Sequence, residues 1–178
     1  MKLLEKKIDS SEKFVGKILH LYVDEVKLSN GHTSFREVVR HPGASAVIVR
    51  SNKGDIILEK QYRYPVNEIL WEIPAGKLNV GEDPLDCAKR ELMEETGITA
   101  KKWEALGHIY TTPGFSDEKI YLYFACELSN GKTHLDEDEF IEVKYFSVQE
   151  VELMIANNEI VDSKTIAAFF KAKMRGLL

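Results

Sequence analysis

The chain reads as an α/β protein with a mixed sheet carrying helices on its faces and an antiparallel β extension at its start. Three observations predict this. The first forty residues alternate in the manner of strands around Asn30-Gly31, a dipeptide suited to a tight hairpin turn. A capped helix lies mid-chain between Asp83 and Gly97. Two further helical segments close the chain after another series of alternating strands. At 178 residues and 44% hydrophobic content, the chain can bury one substantial core and has little room for a second. The expected organisation is a β extension over residues 1–42 and one main domain over residues 43–178.

The elements follow in order. VDEVKLS and HTSFREVVR flank the Asn30-Gly31 turn and form the antiparallel unit. Strands are expected at Ala44 to Val49 and Asp55 to Gln61, joined by the Ser51-Asn52-Lys53-Gly54 turn, and Leu70 to Ile73 leads into a glycine-bearing loop. Asp83 then offers an acidic N-cap and Pro84 tolerates the first helical turn, while Gly97 suits a left-handed C-terminal cap. Strands are next expected at Trp103 to Thr111, Ile120 to Leu128 and Glu142 to Phe146. Ser147 and Glu150 form a capping box for one helix, and the last begins at Asp162 or Ser163 and runs through IAAFFKAKM.

Composition narrows the function. A formal net charge of −5 and the lack of any Lys/Arg run argue against a nucleic-acid groove. An acidic protein that handles phosphates needs metals or local arginines to overcome repulsion. Cys87 and Cys126 lack metal-ligand spacing and read as small apolar residues. The amino terminus interrupts its short apolar run with Glu5, Lys6 and Lys7, unlike a signal peptide. No stretch has the length of a membrane span, so a cytoplasmic location is the expectation.

The chemistry is concentrated in Gly76 to Ile98, GKLNVGEDPLDCAKRELMEETGI, which reads G-x5-E-x7-R-E-U-x-E-E-x-G-U, where U is a bulky aliphatic residue. Helical periodicity puts Glu91 with Glu94 and Glu95 on one side, next to an apolar side marked by Leu85 and Leu92. Like charges at these spacings destabilise an isolated helix by a few tenths of a kcal/mol per pair, so the cluster calls for a cation. Oxygen-only ligands favour Mg2+ or Mn2+ over zinc. A Glu/Lys/Arg-rich helix is more often just a solvated face. Here Pro74, Gly76 and Gly81 around Glu82 shift the balance, because they describe a tight turn rather than a surface linker.

Through this motif the chain resembles the Nudix hydrolases. The resemblance implies a Nudix-type α/β/α sandwich and Mg2+- or Mn2+-assisted hydrolysis of a diphosphate linking a nucleoside to another group. It also implies that Glu91, Glu94 and Glu95 ligate metal, that the carbonyl of Ala75 adds a ligand, and that Arg90 and Glu82 orient the site.

Substrate choice lies outside the motif. Pro113, sixteen residues after Gly97 and within TPGFSDE, reads in isolation as a turn. Within the family a proline at this distance resembles the ADP-ribose pyrophosphatase group, as does the N-terminal β unit, which such enzymes use for homodimerisation and part of the substrate site. ADP-ribose is therefore the expected substrate. Another nucleoside diphosphate sugar such as GDP-mannose is the alternative, and a non-catalytic nucleotide-sensing Nudix domain is the alternative from another class. Arg36 and Arg63 lie where that group places substrate contacts, to grip phosphate or stack on adenine; each reads equally as an exposed charge. Glu72 is a further candidate ligand contact. The acidic loop THLDEDEF supplies Asp136, Glu137, Asp138 and Glu139. By resemblance one of them acts as the base, with Glu139 chosen because it lies nearest the following strand, and Glu137 or a glutamate of the motif as the alternative.

Overall fold

The computed structural model describes residues 3–131 and 140–178. The chain divides into two compact units, one made of the first 43 residues with Tyr110–Lys119, the other of Ala44–Ile109 with Ile120–Leu178.

The first unit is an antiparallel three-stranded sheet, β1 (Lys6–Val15), β2 (His20–Lys27) and β3 (Thr33–Arg40), in that spatial order. β2 and β3 form the hairpin expected at Asn30-Gly31, with Val26 opposite Ser34. Gly31 takes φ +91°, a left-handed conformation that glycine adopts without steric penalty, and its N–H donates to the Leu28 carbonyl at 3.0 Å. The Pro113 segment belongs to the same unit. Val39 N donates to the Phe115 carbonyl at 2.8 Å, and Asp117 N to the Val39 carbonyl at 3.2 Å. Arg40 joins the buried Asp24 to Asp117, at 2.9 and 3.2 Å. The two stretches that suggested a substrate, the N-terminal strands and TPGFSDE, are thus structurally one piece.

The second unit is a mixed seven-stranded sheet. Its main path runs β10 (Ile141–Phe146), β5 (Ile56–Arg63), β4 (Ala44–Arg50), β9 (Lys119–Asn130) and β8 (Ile98–Tyr110). β4 and β9 are parallel, whereas β4–β5 and β5–β10 are antiparallel. β4 and β5 pair only at Val49–Ile57 and Arg50–Ile56. Beyond that hairpin they separate, β6 (Glu68–Glu72) following β5 and β7 (Ala75–Lys77) following β4.

The residues of β4 and β5 sort strictly by parity, as a sheet covered on both faces requires. Ala46, Ile48, Ile56 and Leu58 pack with α2 (Val148–Ala156) and α3 (Ser163–Met174) through Val151, Met154, Ala168 and Phe169. Val47, Val49 and Ile57 pack with α1 (Pro84–Thr96) through Ala88 and Leu92. This is the expected α/β/α sandwich. The caps are also those read from the sequence: Asp83 accepts from Leu85 N at 2.8 Å, Gly97 sits at φ +69°, Ser147 and Glu150 complete a capping box, and Asp162 caps α3. Strand β7 was not anticipated, because AGK looks like loop; its pairing with Ala44–Ala46 comes from the tertiary course of the chain. No helix among the described residues is long and apolar enough to cross a membrane.

Candidate active site

Helix α1 crosses the sheet with Cys87, Ala88 and Leu92 fully buried, and this fixes its opposite edge over the Pro74–Lys77 segment. Arg90 organises that edge. Its guanidinium donates to both oxygens of Glu82, at 2.8 and 2.9 Å, to Glu91 at 2.7 Å, to Glu94 at 2.9 Å, and to the Lys77 carbonyl at 3.1 Å. The hydrogen bonds from Arg90, helped by Asn79 N, hold the Glu82 carboxyl at about 2. The same contacts raise the Arg90 pKa above its ordinary value. Three motif carboxylates are therefore brought together by one guanidinium, as its fork of five donors allows.

Gly76 leaves the room that the Glu91 carboxylate occupies. A Cβ there would lie 1.8 Å from Glu91 Oε1, so the carboxylate rests directly on the glycine backbone. Glu95, on the last turn of α1 and only 5% exposed, accepts from Ala75 N at 3.0 Å. Its carboxyl is also hydrogen-bonded to Glu59 on β5. Burial pushes the Glu59 carboxyl up to about 8 against the opposing contact with Glu95. Among the described residues no three acidic, histidine or cysteine side chains already converge on one point. The donor set nevertheless fits a hard divalent cation, being made only of carboxylate and backbone oxygens, with Glu91 laid into a cradle that any side chain at Gly76 would fill.

A second group lies beside the first. Arg63 donates bidentately to Glu72, at 2.7 and 2.8 Å. Lys164 at the start of α3 also bonds the Glu72 carboxylate and reaches Asp162 at 3.1 Å. Burial raises the Glu72 carboxyl, but the hydrogen bonds and charges of Arg63 and Lys164 outweigh it and hold it at about 2. Two of the three sequence candidates for substrate contact, Arg63 and Glu72, are thus engaged with each other. Arg36 belongs to the other unit, where it donates to Glu5 at 2.5 and 3.0 Å. Glu139, with Asp136, Glu137 and Asp138, lies outside the described residues. Sequence reasoning missed Lys164 and Glu59. For Lys164 no signal exists, but Glu59 was detectable: in IILEK it falls on the same face as Ile57, a buried one. Cys87 and Cys126 are free thiols, and burial raises that of Cys87 to about 11, consistent with inert packing.

Comparison with known proteins places the chain in a family. The family described as NUDIX domain matches residues 39–169. The chain is 47% identical over 171 residues to an ADP-ribose pyrophosphatase of Bacillus subtilis (strain 168), covering 94% of this chain and 92% of that protein. It is also 47% identical over 166 residues to a methanol dehydrogenase activator of Bacillus methanolicus, covering 92% and 90%. A solved structure described as an ADP compounds hydrolase superposes with a TM-score of 0.84 over 98% of this chain and 97% of its own, at 18% identity, which speaks to the fold alone. The motif, the sandwich and these matches together show that the chain belongs to the Nudix family.

Proposed function

We propose that the protein hydrolyses the diphosphate of ADP-ribose to AMP and ribose 5-phosphate with the aid of Mg2+ or Mn2+. The observation that carries the reaction is the Arg90-organised carboxylate edge over Gly76. The substrate reading is supported by the ADP-ribose pyrophosphatase relative, similar along nearly its whole length. Glu91, Glu94 and Glu95, with the Ala75 carbonyl, would hold the cation. When bound, it supplies Lewis acidity that offsets diphosphate charge and makes the attacking water more acidic.

The protein's own groups do the rest. Arg90 and Glu82 hold the motif glutamates in place. Glu139 takes the proton from water, and Arg36 and Arg63 bind the substrate, Arg63 with Glu72 fixing its orientation. The extension over residues 1–42 joins two copies into a homodimer; sedimentation showing only monomer at working concentration would count against this. The cytoplasm is the compartment in which the enzyme works, and cell fractionation tests it.

Measuring kcat/KM over ADP-ribose, GDP-mannose, ADP-glucose, NADH, diadenosine polyphosphates and 8-oxo-dGTP tests the substrate. ADP-ribose is expected to lead. A lead for GDP-mannose would leave the catalytic motif in place and refute the substrate, while ligand binding with no cleavage would favour a nucleotide sensor. Gly76→Ala is expected to displace the Glu91 carboxylate and lower kcat by about 10²-fold, the scale of an ångström misplacement. Near-normal kcat in a folded variant would show that Glu91 need not rest on the backbone there.

A further inference from the structure

Glu59 has no part in the motif, yet it is among the most deeply placed acids in the molecule. It is 3% exposed, and its Oε1 has no hydrogen-bond partner among the described residues. A buried carboxylate oxygen without a partner is costly, so its position calls for an explanation.

The strand pattern shows where this side chain is aimed. Glu59 lies two residues after Ile57, which packs against Ala88 and Leu92 of α1, so it projects from the same face of β5 toward that helix. There its carboxyl meets that of Glu95, in hydrogen-bond contact. Glu72 stands opposite it in the β5–β6 register. Two carboxyl groups in contact need a positive charge or a shared proton between them. The cations nearest this pair, Arg63 and Lys164, are already bonded to Glu72, and Lys164 also to Asp162. Arg90 is engaged with Glu82, Glu91 and Glu94. Arg63 and Lys164 are thus committed to Glu72 and Asp162, and Glu59 Oε1 is the oxygen left without a hydrogen-bond partner among the described residues.

We infer that Glu59 is a ligand of the divalent cation, pairing with Glu95 to bind the ion from the sheet side while the motif binds it from the helix side. This rests on the reading of the motif as a metal site. The ion would satisfy Glu59 Oε1, and its ligand set would extend beyond the motif to β5.

Titration of the full chain with Mn2+ alone, followed by electron paramagnetic resonance, tests the inference through Glu59→Gln and Glu95→Gln. Glutamine keeps the size of the side chain and a hydrogen bond to Glu95 but binds a cation poorly. Glu59→Gln is expected to weaken Mn2+ binding at least about tenfold, with Glu95→Gln weaker still. Unchanged Mn2+ affinity in Glu59→Gln, with Glu95→Gln impaired, would overturn the inference and leave the motif site standing. Unchanged affinity in both would remove the metal-site reading and this inference with it. A Mn2+ anomalous map of the wild-type protein gives an answer independent of either variant's folding. An ion within about 2.5 Å of a Glu59 oxygen is expected; an ion on Glu95 that Glu59 does not touch would overturn the assignment.

Discussion

Glu95→Gln is expected to lower the turnover of ADP-ribose by more than about 10²-fold and to leave the fold intact. Loss of a group that merely orients a ligand costs about 10–100-fold in metal affinity or activity, so loss of a ligand itself should exceed the top of that range. The side chain sits at the buried end of α1, 5% exposed, and Ala75 N donates to it at 3.0 Å. Glutamine keeps that acceptor oxygen, so the Pro74–Lys77 segment stays in place. Glutamine can also keep the hydrogen bond to Glu59. Thermal melts should therefore change little while the rate collapses. A folded variant with near-normal turnover would remove Glu95 from the set of metal ligands.

Glu72→Gln has the largest expected effect on stability. The Glu72 carboxylate ties β6 to Arg63 on β5 and to Lys164 on α3, and it is 3% exposed. Removing one partner of a buried ion pair costs about 3–5 kcal/mol where the remaining charge stays buried, as that of Lys164 does, whereas Arg63 is 40% exposed and water takes up part of its loss. Asp162, 3.1 Å from Lys164, offsets part of this. The wild-type pH dependence has the same origin. The carboxyl is lowered from 4.5 to about 2 in the folded protein, so the unfolded chain binds the proton first as pH falls. The stabilisation is complete above pH 4.5 and is lost as pH falls through 2, an effect of order 3 kcal/mol. Urea melts across that window should show the decline in wild type and a flatter profile in Glu72→Gln. Equal slopes would assign the acid sensitivity to other carboxylates.

Much of the fold was legible because local and tertiary signals agree. Asn30-Gly31 demands a left-handed turn, Asp83-Pro84 and Gly97 bracket a helix, and Ser147 with Glu150 satisfies its own backbone; each is a local requirement that the tertiary structure does not override. Strand β7 was not legible, since three residues carry no period and its pairing depends on where β4 lies. The motif glutamates were legible through spacing, but their partners were not. Arg63 with Glu72 and Lys164 with Glu72 join residues 9 and 92 positions apart, a proximity that only the folded chain creates. Arg63 and Glu72 thus read separately as ligand contacts, although the structure bonds each to the other. Glu59 lay in plain view in IILEK, where an acid on the buried face of a strand breaks the apolar pattern, and such a break often marks function.

Metal-dependent hydrolysis of ADP-ribose is checked by turnover of ADP-ribose by the full chain with Mg2+, before and after chelation. Stoichiometric AMP and ribose 5-phosphate are expected with Mg2+, and loss of activity with chelator that added Mg2+ restores. Cleavage that continues unchanged under chelation, or ADP-ribose left intact with the metal present, would contradict it.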